Sequence, residues 1–447
     1  MSTLTFYGGV KEIGGNKFLL ESGGTRVFLD FGKSYTREAK YFGLPQPQAR
    51  DLGDLLALGM IPQTPGLYKE KGEPPVDAVL LSHPHSDHWD YIRHIRDDIP
   101  IVCGEATRDI ILAREKASTA TPPVAKLTRS EERVYKTFET FRTGDRVEIG
   151  SLQVTPIHVD HSVPGSYGLM LETSEGTLTY TGDLRTHGTK PELTKDFVQE
   201  AREAEPQILI IEGTNIGEAE VSSEREVEQK VRGVVEGATA VVLATFALYD
   251  IDRLRTFHNV AKATGRKLAV SLKQAYLLEQ LKDDVGLDIF RLEDPNVLIY
   301  KRGKKTTYAF ERVVEEKYPD KVVDAEDVNT RGSELILLVW LQHITELVDI
   351  EPGPGSVFIS SQSEPFDEEM EIDYGKLRAW LSRYGVPHYR IHASGHAMPL
   401  DLKEIIRHIA PKKVFLVHTE EPDVYRHFIS DLNIETIIPK EGVKIPL

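Results

Sequence analysis

The stretch VLLSHPHSDHWD, residues 79–90, constrains this chain more than any other: an apolar run stops, and three histidines and two aspartates follow within eight positions. The whole chain has 447 residues and 15 histidines, so the cluster does not come from a His-rich background. Neutral imidazole and carboxylate are ligands that zinc takes. An i, i+2 spacing lets two rings leave an extended loop on the same side. The preceding run, VDAVLL, reads as a short buried strand that delivers Ser82 and then the cluster into a loop, where a rigid scaffold carries its chemistry. The residues that follow, DHWDYIRHIRDD, have helical spacing.

Two metals about 3.5–4 Å apart need more ligands than this cluster offers, and a bridging carboxylate. Three later positions meet that need: His161 in HVDHSVPGS, Asp183 in TYTGDLR and His418 in VFLVHTE. Each follows an apolar strand and opens a loop, as the first cluster does. Taken singly, each reads more readily as a structural residue; with His83, His85, Asp87 and His88 they complete a dinuclear set. His158, close to His161, competes for that ligand role. The single cysteine, Cys103, excludes an intramolecular disulfide and a cysteine-based zinc site. It follows Ile101 and Val102 and reads as a core residue.

The remaining pattern sets the frame for these loops. KFLLES and TRVFLDFG flank Gly23–Gly24, a hairpin signal. Residues 37–75 are irregular and rich in Pro and Gly; they read as a surface loop or as a cover over a cleft, and a cover is expected. RVEIGSLQVTPIHV and YGLMLETSEGTLTYTGD are further strands, and EPQILIIEGTN is a strand ending in a polar loop. From about residue 220 the texture changes. Ser223 and Glu226 form a capping-box pattern. TAVVLATF, RKLAVSL, NVLIYKRG, ELILLVWL and SVFISS then alternate with amphipathic stretches near 250–264 and 274–282, as in a parallel α/β unit. A βαβ-like tail follows about residue 385: HYRIHASGH, DLKEIIRHIA and KKVFLVH.

Composition narrows the function classes. The net charge of −16 works against diffuse binding to a polyanion, and leaves room for a local basic groove. No apolar run reaches the ~18 residues of a membrane span. The opening MSTLTFYGGV has neither the basic nor the apolar region of a signal peptide, so a cytoplasmic protein with no membrane partner is expected. YKRGKKTTYAF, residues 300–310, carries Lys301, Arg302, Lys304, Lys305 and two tyrosines. That is the composition of a groove tracking a single strand, or of a solvated charge run. Lys273 and Arg185 are further candidates for such a groove.

The series H-x-H-x-D-H, a lone His, a Gly-Asp and a late His resembles the motif series of the metallo-β-lactamase superfamily. It is closer still to the β-CASP branch of nucleases and, within it, to ribonuclease J-like proteins; the resemblance covers nearly the whole chain. It implies a metallo-β-lactamase αββα sandwich, α/β in class, with an inserted parallel α/β β-CASP domain. The segments would be 1–213 and 389–447 for the sandwich and 214–388 for the insert. Asp30 in FLDFG matches the early strand Asp that supports the metal loop. Glu212 in IEGTN, HASGH (392–396) and His418 match the β-CASP motifs.

By that resemblance His83, His85 and His161 hold one zinc, Asp87, His88 and His418 the other, and Asp183 bridges; Mn²⁺ is an alternative metal. His396 would protonate the leaving 3′ oxygen, with Glu212 and Asp87 in support. His392, Ser394, Gly395, Ser360 and Ser361 would contact phosphate or RNA. The implied activity is hydrolysis of single-stranded RNA, 5′–3′ from an end or internally, by a homodimer. The same metals acting on DNA or a small phosphodiester, and a non-enzymatic RNA-binding scaffold, are the alternatives. Three departures stand out. Trp89–Asp90–Tyr91 replaces the Gly-Gly that often follows the His cluster. The acidic text SSQSEPFDEEM (360–370) differs from bacterial members, and the short build resembles archaeal-type members without the bacterial C-terminal domain.

Overall fold

The computed structural model describes residues 2–42, 48–68, 72–117, 125–127, 133–219, 222–284, 286–304, 306–362 and 368–447. The chain divides into two compact units: Met1–Thr186, Lys190–Ala219 and Gly395–Leu447 form one, His187–Thr189 and Glu220–Ser394 the other.

The first unit stacks two seven-stranded sheets. One runs Lys444–Pro446, Thr3–Phe6, Phe18–Ser22, Thr25–Leu29, Ala78–Leu80, Ile101–Gly104, Phe138–Phe141. The other runs Glu435–Ile437, Lys413–Leu416, Ile208–Ile211, Gly176–Tyr180, Tyr167–Thr173, Leu152–His158, Val147–Ile149. The expected hairpin is present, with Phe18 paired to Leu29. Gly23 and Gly24 have φ of 58° and 88°, the left-handed pair that a two-residue hairpin turn demands.

Strand alternation builds the layers. Leu80, Ile208 and Ile210 face inward and meet Phe6, Phe18, Leu169 and Phe415 between the sheets. Val79 and Leu81 point the other way, onto Trp89, Tyr91 and Ile111. Leu209 and Ile211 face helices Pro191–Glu203 and Pro399–Ile409 through Phe197, Leu402 and Ile406. The result is the αββα sandwich, with loops at the carboxyl ends of its central strands carrying the polar clusters.

The segment expected to be an irregular cover is a layer of this fold. Among the described residues it forms helices Tyr35–Tyr41 and Leu52–Ala57. It sends Leu55, Met60, Ile61 and Leu67 into the core beside Trp89 and Tyr91. The two bulky residues after the His cluster explain why: Trp89 and Tyr91 are both fully buried and need that cladding. The helical spacing over DHWDYIRHIRDD yields one turn, Ser86–Trp89, and a 3₁₀ helix, Asp90–His94.

The second unit has a third seven-stranded sheet, in which every pairing is parallel. Its order is Val322–Val323, Val297–Tyr300, Lys267–Ser271, Leu335–Leu338, Val242–Thr245, Val357–Ser360, His388–Arg390. Helix Glu224–Gly237 opens with the expected Ser223–Glu226 capping box. Strand His388–Arg390, read from sequence as the start of the return segment, instead pairs with Val357–Ser360. Local pattern cannot show which sheet a three-residue strand joins. The chain therefore passes to the first unit after Ser394, and the earlier crossing falls at Ala219–Glu220 rather than after residue 213. No helix among the described residues is long and apolar enough to cross a membrane.

Candidate metal centre

Two left-handed, non-glycine positions mark the centre. Asp30, just after strand Thr25–Leu29, has φ 58°, and His418, just after Lys413–Leu416, has φ 52°. Such backbone costs of order 1 kcal/mol and persists where the surroundings fix it. Asp30 is fully buried and shows what fixes it. One carboxylate oxygen accepts the Ser82 N–H at 2.7 Å. The other accepts the Ser82 hydroxyl at 2.8 Å and the Tyr180 hydroxyl at 2.7 Å, and lies 2.7 Å from His88 Nδ1. With Nδ1 held there, Nε2 of His88 faces the centre, 3.2 Å from Asp183 Oδ2.

The structure brings all seven ligand candidates together, within the first unit. His83, His85, His161 and Asp183 form one group, and Asp87, His88, Asp183 and His418 another, with the donor atoms of each within 4.8 Å of one another. His85 Nδ1 lies 3.1 Å from His83 Nε2 and 3.0 Å from His161 Nε2. Asp183 Oδ2 lies 3.5 Å from His83 Nε2 and 3.6 Å from His418 Nε2, so one carboxylate serves both groups. His418 Nε2 is also 3.2 Å from Asp87 Oδ2. His158 is elsewhere, stacked on Tyr167 at 4.5 Å between ring centroids.

Electrostatics fit a cation pair. Burial pulls His83 and His161 well below the ordinary histidine value and His85 down to about 4, leaving lone pairs free at neutral pH. Burial opposes ionisation of Asp183, yet the histidines facing it, His418 and His88 first, hold it well below the carboxylate range. Burial also works against a charged His88, but Asp183, Asp30 and Asp87 raise it well above the ordinary histidine value. Asp183 Oδ1 is buried and has no hydrogen-bond partner. A buried, partly unsatisfied carboxylate beside imidazole lone pairs about 3 Å apart is a donor set that a cation would satisfy, taking over the charge compensation that His88 gives Asp183. The residues therefore fit a divalent pair, and the nitrogen-rich donor set suits zinc.

A third group, Glu212, His396 and His418, adjoins the second. Glu212 is buried and accepts the N–H of Thr214 at 2.9 Å and of Ala397 at 3.3 Å. Its Oε1 is 3.4 Å from His396 Nδ1. Burial works against a charged His396, but Glu212 and then Asp183 raise it to about 9. Thr214 was not singled out from sequence, although its hydroxyl lies 3.1 Å from His396 Nδ1 and 2.9 Å from His418 Nδ1. Its place directly after the Glu-Gly of IEGTN was the available signal. Asn16 was missed too; its amide is 3.1 Å from His88 Nε2.

The other expected residues are placed as follows. Arg185 is fully buried against Asp160, so it lines no surface groove. Lys301 pairs with Glu315 and Lys304 with Glu311, and Lys304 also sits 4.3 Å over Tyr308. Lys305 and residues 363–367 lie outside the described residues. Ser360 hydrogen-bonds His388 at 2.7 Å, and the Ser361 hydroxyl donates to the Ile391 carbonyl at 2.5 Å. His392 Nδ1 is 3.3 Å from Arg253. Gly395 places its carbonyl 2.5 Å from His161 Nδ1, and a Cβ there would meet Ser162 Oγ at 2.9 Å and His161 Cε1 at 3.1 Å. Cys103 is a buried core residue, its thiol pushed up by burial.

Residues 53–245 match the family described as the beta-lactamase superfamily domain, and residues 388–439 the Zn-dependent metallo-hydrolase RNA specificity domain. With the centre above, these matches make the chain similar to the metal-dependent hydrolases of the β-lactamase superfamily. Within it, the chain is similar to ribonuclease J proteins over nearly all its length. It is 23% identical to ribonuclease J of Mycolicibacterium smegmatis, across 98% of this chain and 72% of that one. It is 24% identical to ribonuclease J of Mycobacterium tuberculosis, across 93% and 68%. A solved structure of a protein of unknown function from Enterococcus faecalis shares the fold, with a TM-score of 0.79 at 22% identity over the full length of both chains.

Proposed function

We propose that this chain is a dinuclear zinc ribonuclease that hydrolyses phosphodiester bonds of single-stranded RNA. The observation that carries the reading is Asp183: one buried carboxylate shared by two separate sets of nitrogen and oxygen donors, with His396 3.8 Å from the same oxygen. When bound, the metal pair supplies Lewis acidity, generating a nucleophile from water near neutral pH and drawing charge from the phosphoryl oxygens.

The chain's own residues do the rest. His83, His85 and His161 fix one end of the centre and Asp87, His88 and His418 the other, while Asp30 keeps His88 in register. His396, braced by Glu212 and Thr214, is placed to give a proton to the departing 3′ oxygen. The small residues Ser394 and Gly395 let backbone approach a phosphate. The RNA assignment draws on the RNA specificity match at 388–439 and on the ribonuclease J names of the relatives. A cytoplasmic homodimer belongs to the same reading.

Cleavage of 5′-labelled and 3′-labelled RNAs, each with a 5′-monophosphate, tests it beside a matched DNA. The expected result is RNA-selective cleavage that His83→Ala abolishes and His396→Ala lowers by about 10²–10⁴-fold. The two labels separate end-directed trimming from internal cuts. A zinc-loaded protein that cleaves DNA or a small phosphodiester but not RNA would overturn the substrate assignment.

A further inference from the structure

The metal centre meets solvent along one rim. His83, His88, His161, Asp183 and His418 are buried, whereas the side chains of Asp87 and His396 are 14% and 20% exposed and His85 is half-buried. Tyr35 adjoins the loop that carries His85 and Asp87. Its hydroxyl bonds the hydroxyl of buried Ser86, the residue between His85 and Asp87. Burial and then the Asp87 carboxylate push the Tyr35 hydroxyl up to about 12, so it stays neutral.

The rest of Tyr35 is open to water: the residue is 44% exposed. Its helix, Tyr35–Tyr41, buries no residue, so the ring serves no core. Its position is nonetheless fixed. Ser34 caps the helix, accepting the Arg37 N–H at 3.2 Å and donating to Glu12 at 2.6 Å. The Lys33 ammonium lies 5.7 Å from the ring centroid and pairs with Glu38. An aromatic ring pinned by its polar end, with an open flank and a cation beside it, has the make-up of a surface on which unpaired bases stack. A base in a duplex has both faces covered and gains nothing there.

We infer that Tyr35 is a stacking platform for an unpaired nucleobase next to the scissile phosphate. This rests on the ribonuclease reading and adds a selective contact for single strands.

The test measures kcat and KM of the zinc-loaded wild type, Tyr35→Ala and Tyr35→Trp. The substrates are one single-stranded RNA and versions with an abasic ribose at each position flanking the cleaved bond. Stacking is worth about 5- to 160-fold per base when the aromatic residue is truncated. In wild type, one abasic position is expected to raise KM about tenfold. Tyr35→Ala raises KM for intact RNA by a similar factor, with kcat within about twofold, and loses the penalty at that position. Tyr35→Trp restores KM. Penalties that simply add, or a Tyr35→Ala variant that loses zinc and kcat at unchanged KM, would overturn the inference, the latter making Tyr35 a brace for the metal loop. A wild type that cleaves no RNA overturns the ribonuclease reading, and this inference with it.

Discussion

The carboxylate of Asp30 lies 2.7 Å from Nδ1 of His88, in full burial, and so decides which nitrogen of that ring faces the candidate metal centre. Asp30→Asn is the informative variant, because asparagine tolerates the left-handed backbone at φ 58°. It leaves the ring without its anion and turns an NH2 donor either on the Ser82 N–H or on the two hydroxyls that donate to the other oxygen. Metal affinity is expected to fall about 10–100-fold, read by chelator competition. A variant with unchanged affinity would show that packing alone orients His88.

Arg185 and Asp160 form a buried pair that joins the loop of Asp183 to the loop of His161. Two more links lie beside it: the Arg185 N–H donates to the Asp160 carbonyl at 2.8 Å, and the Thr194 hydroxyl bridges the same two residues. Arg185→Met removes the cation that faces a buried carboxylate and is expected to cost about 3–5 kcal/mol in urea unfolding. Asp160→Leu added to it should recover most of that loss. Equal stability of wild type and single variant would remove the pair from the account of this loop.

Gly395 faces His161 where a methyl group has no room. Gly395→Ala is expected to keep the fold, push the His161 ring, and lower kcat about 10²-fold. Ser162→Ala removes the nearer obstacle at 2.9 Å and should restore part of the rate in the double variant. Activity near wild type in Gly395→Ala would mean that the loop yields freely.

His94 sets an acid limit on stability. Burial, and then the Arg93 guanidinium whose Nε donates to His94 Nε2 at 3.0 Å, pull it down to about 4. Its value in the unfolded chain is ~6.5, so below that pH the unfolded state takes up a proton that the folded state refuses. The contribution is intact above pH 6.5 and is lost as pH falls toward 4. His94→Gln keeps an acceptor but cannot titrate. Between pH 7 and 5 it should lose less stability than wild type, by about 1–2 kcal/mol in urea unfolding. Parallel losses would contradict the burial of this imidazole.

The centre was legible from residue type and position. Ligands leave strand ends, and strand ends show in sequence, so His161, Asp183 and His418 could be paired with the 83–88 cluster before any contact was known. What stayed hidden was set by contacts between distant residues. Arg185 looks like a surface cation until Asp160 buries it. Residues 37–75 look like a cover until Trp89 and Tyr91 require a layer above them. Thr214 bonds two histidines from HASGH and VHTE, which no spacing near Thr214 reveals. Strand His388–Arg390 is too short to announce its sheet.

Metal counting on purified protein tests the shared-carboxylate centre most directly. Native mass spectrometry of the zinc-loaded chain is expected to show two Zn²⁺ per chain. His161→Ala and His418→Ala should each retain one, because each removes a ligand from a different group, and Asp183→Asn should weaken both. One zinc in wild type, or loss of both ions in His161→Ala with none lost in Asp183→Asn, would contradict two sites joined through Asp183.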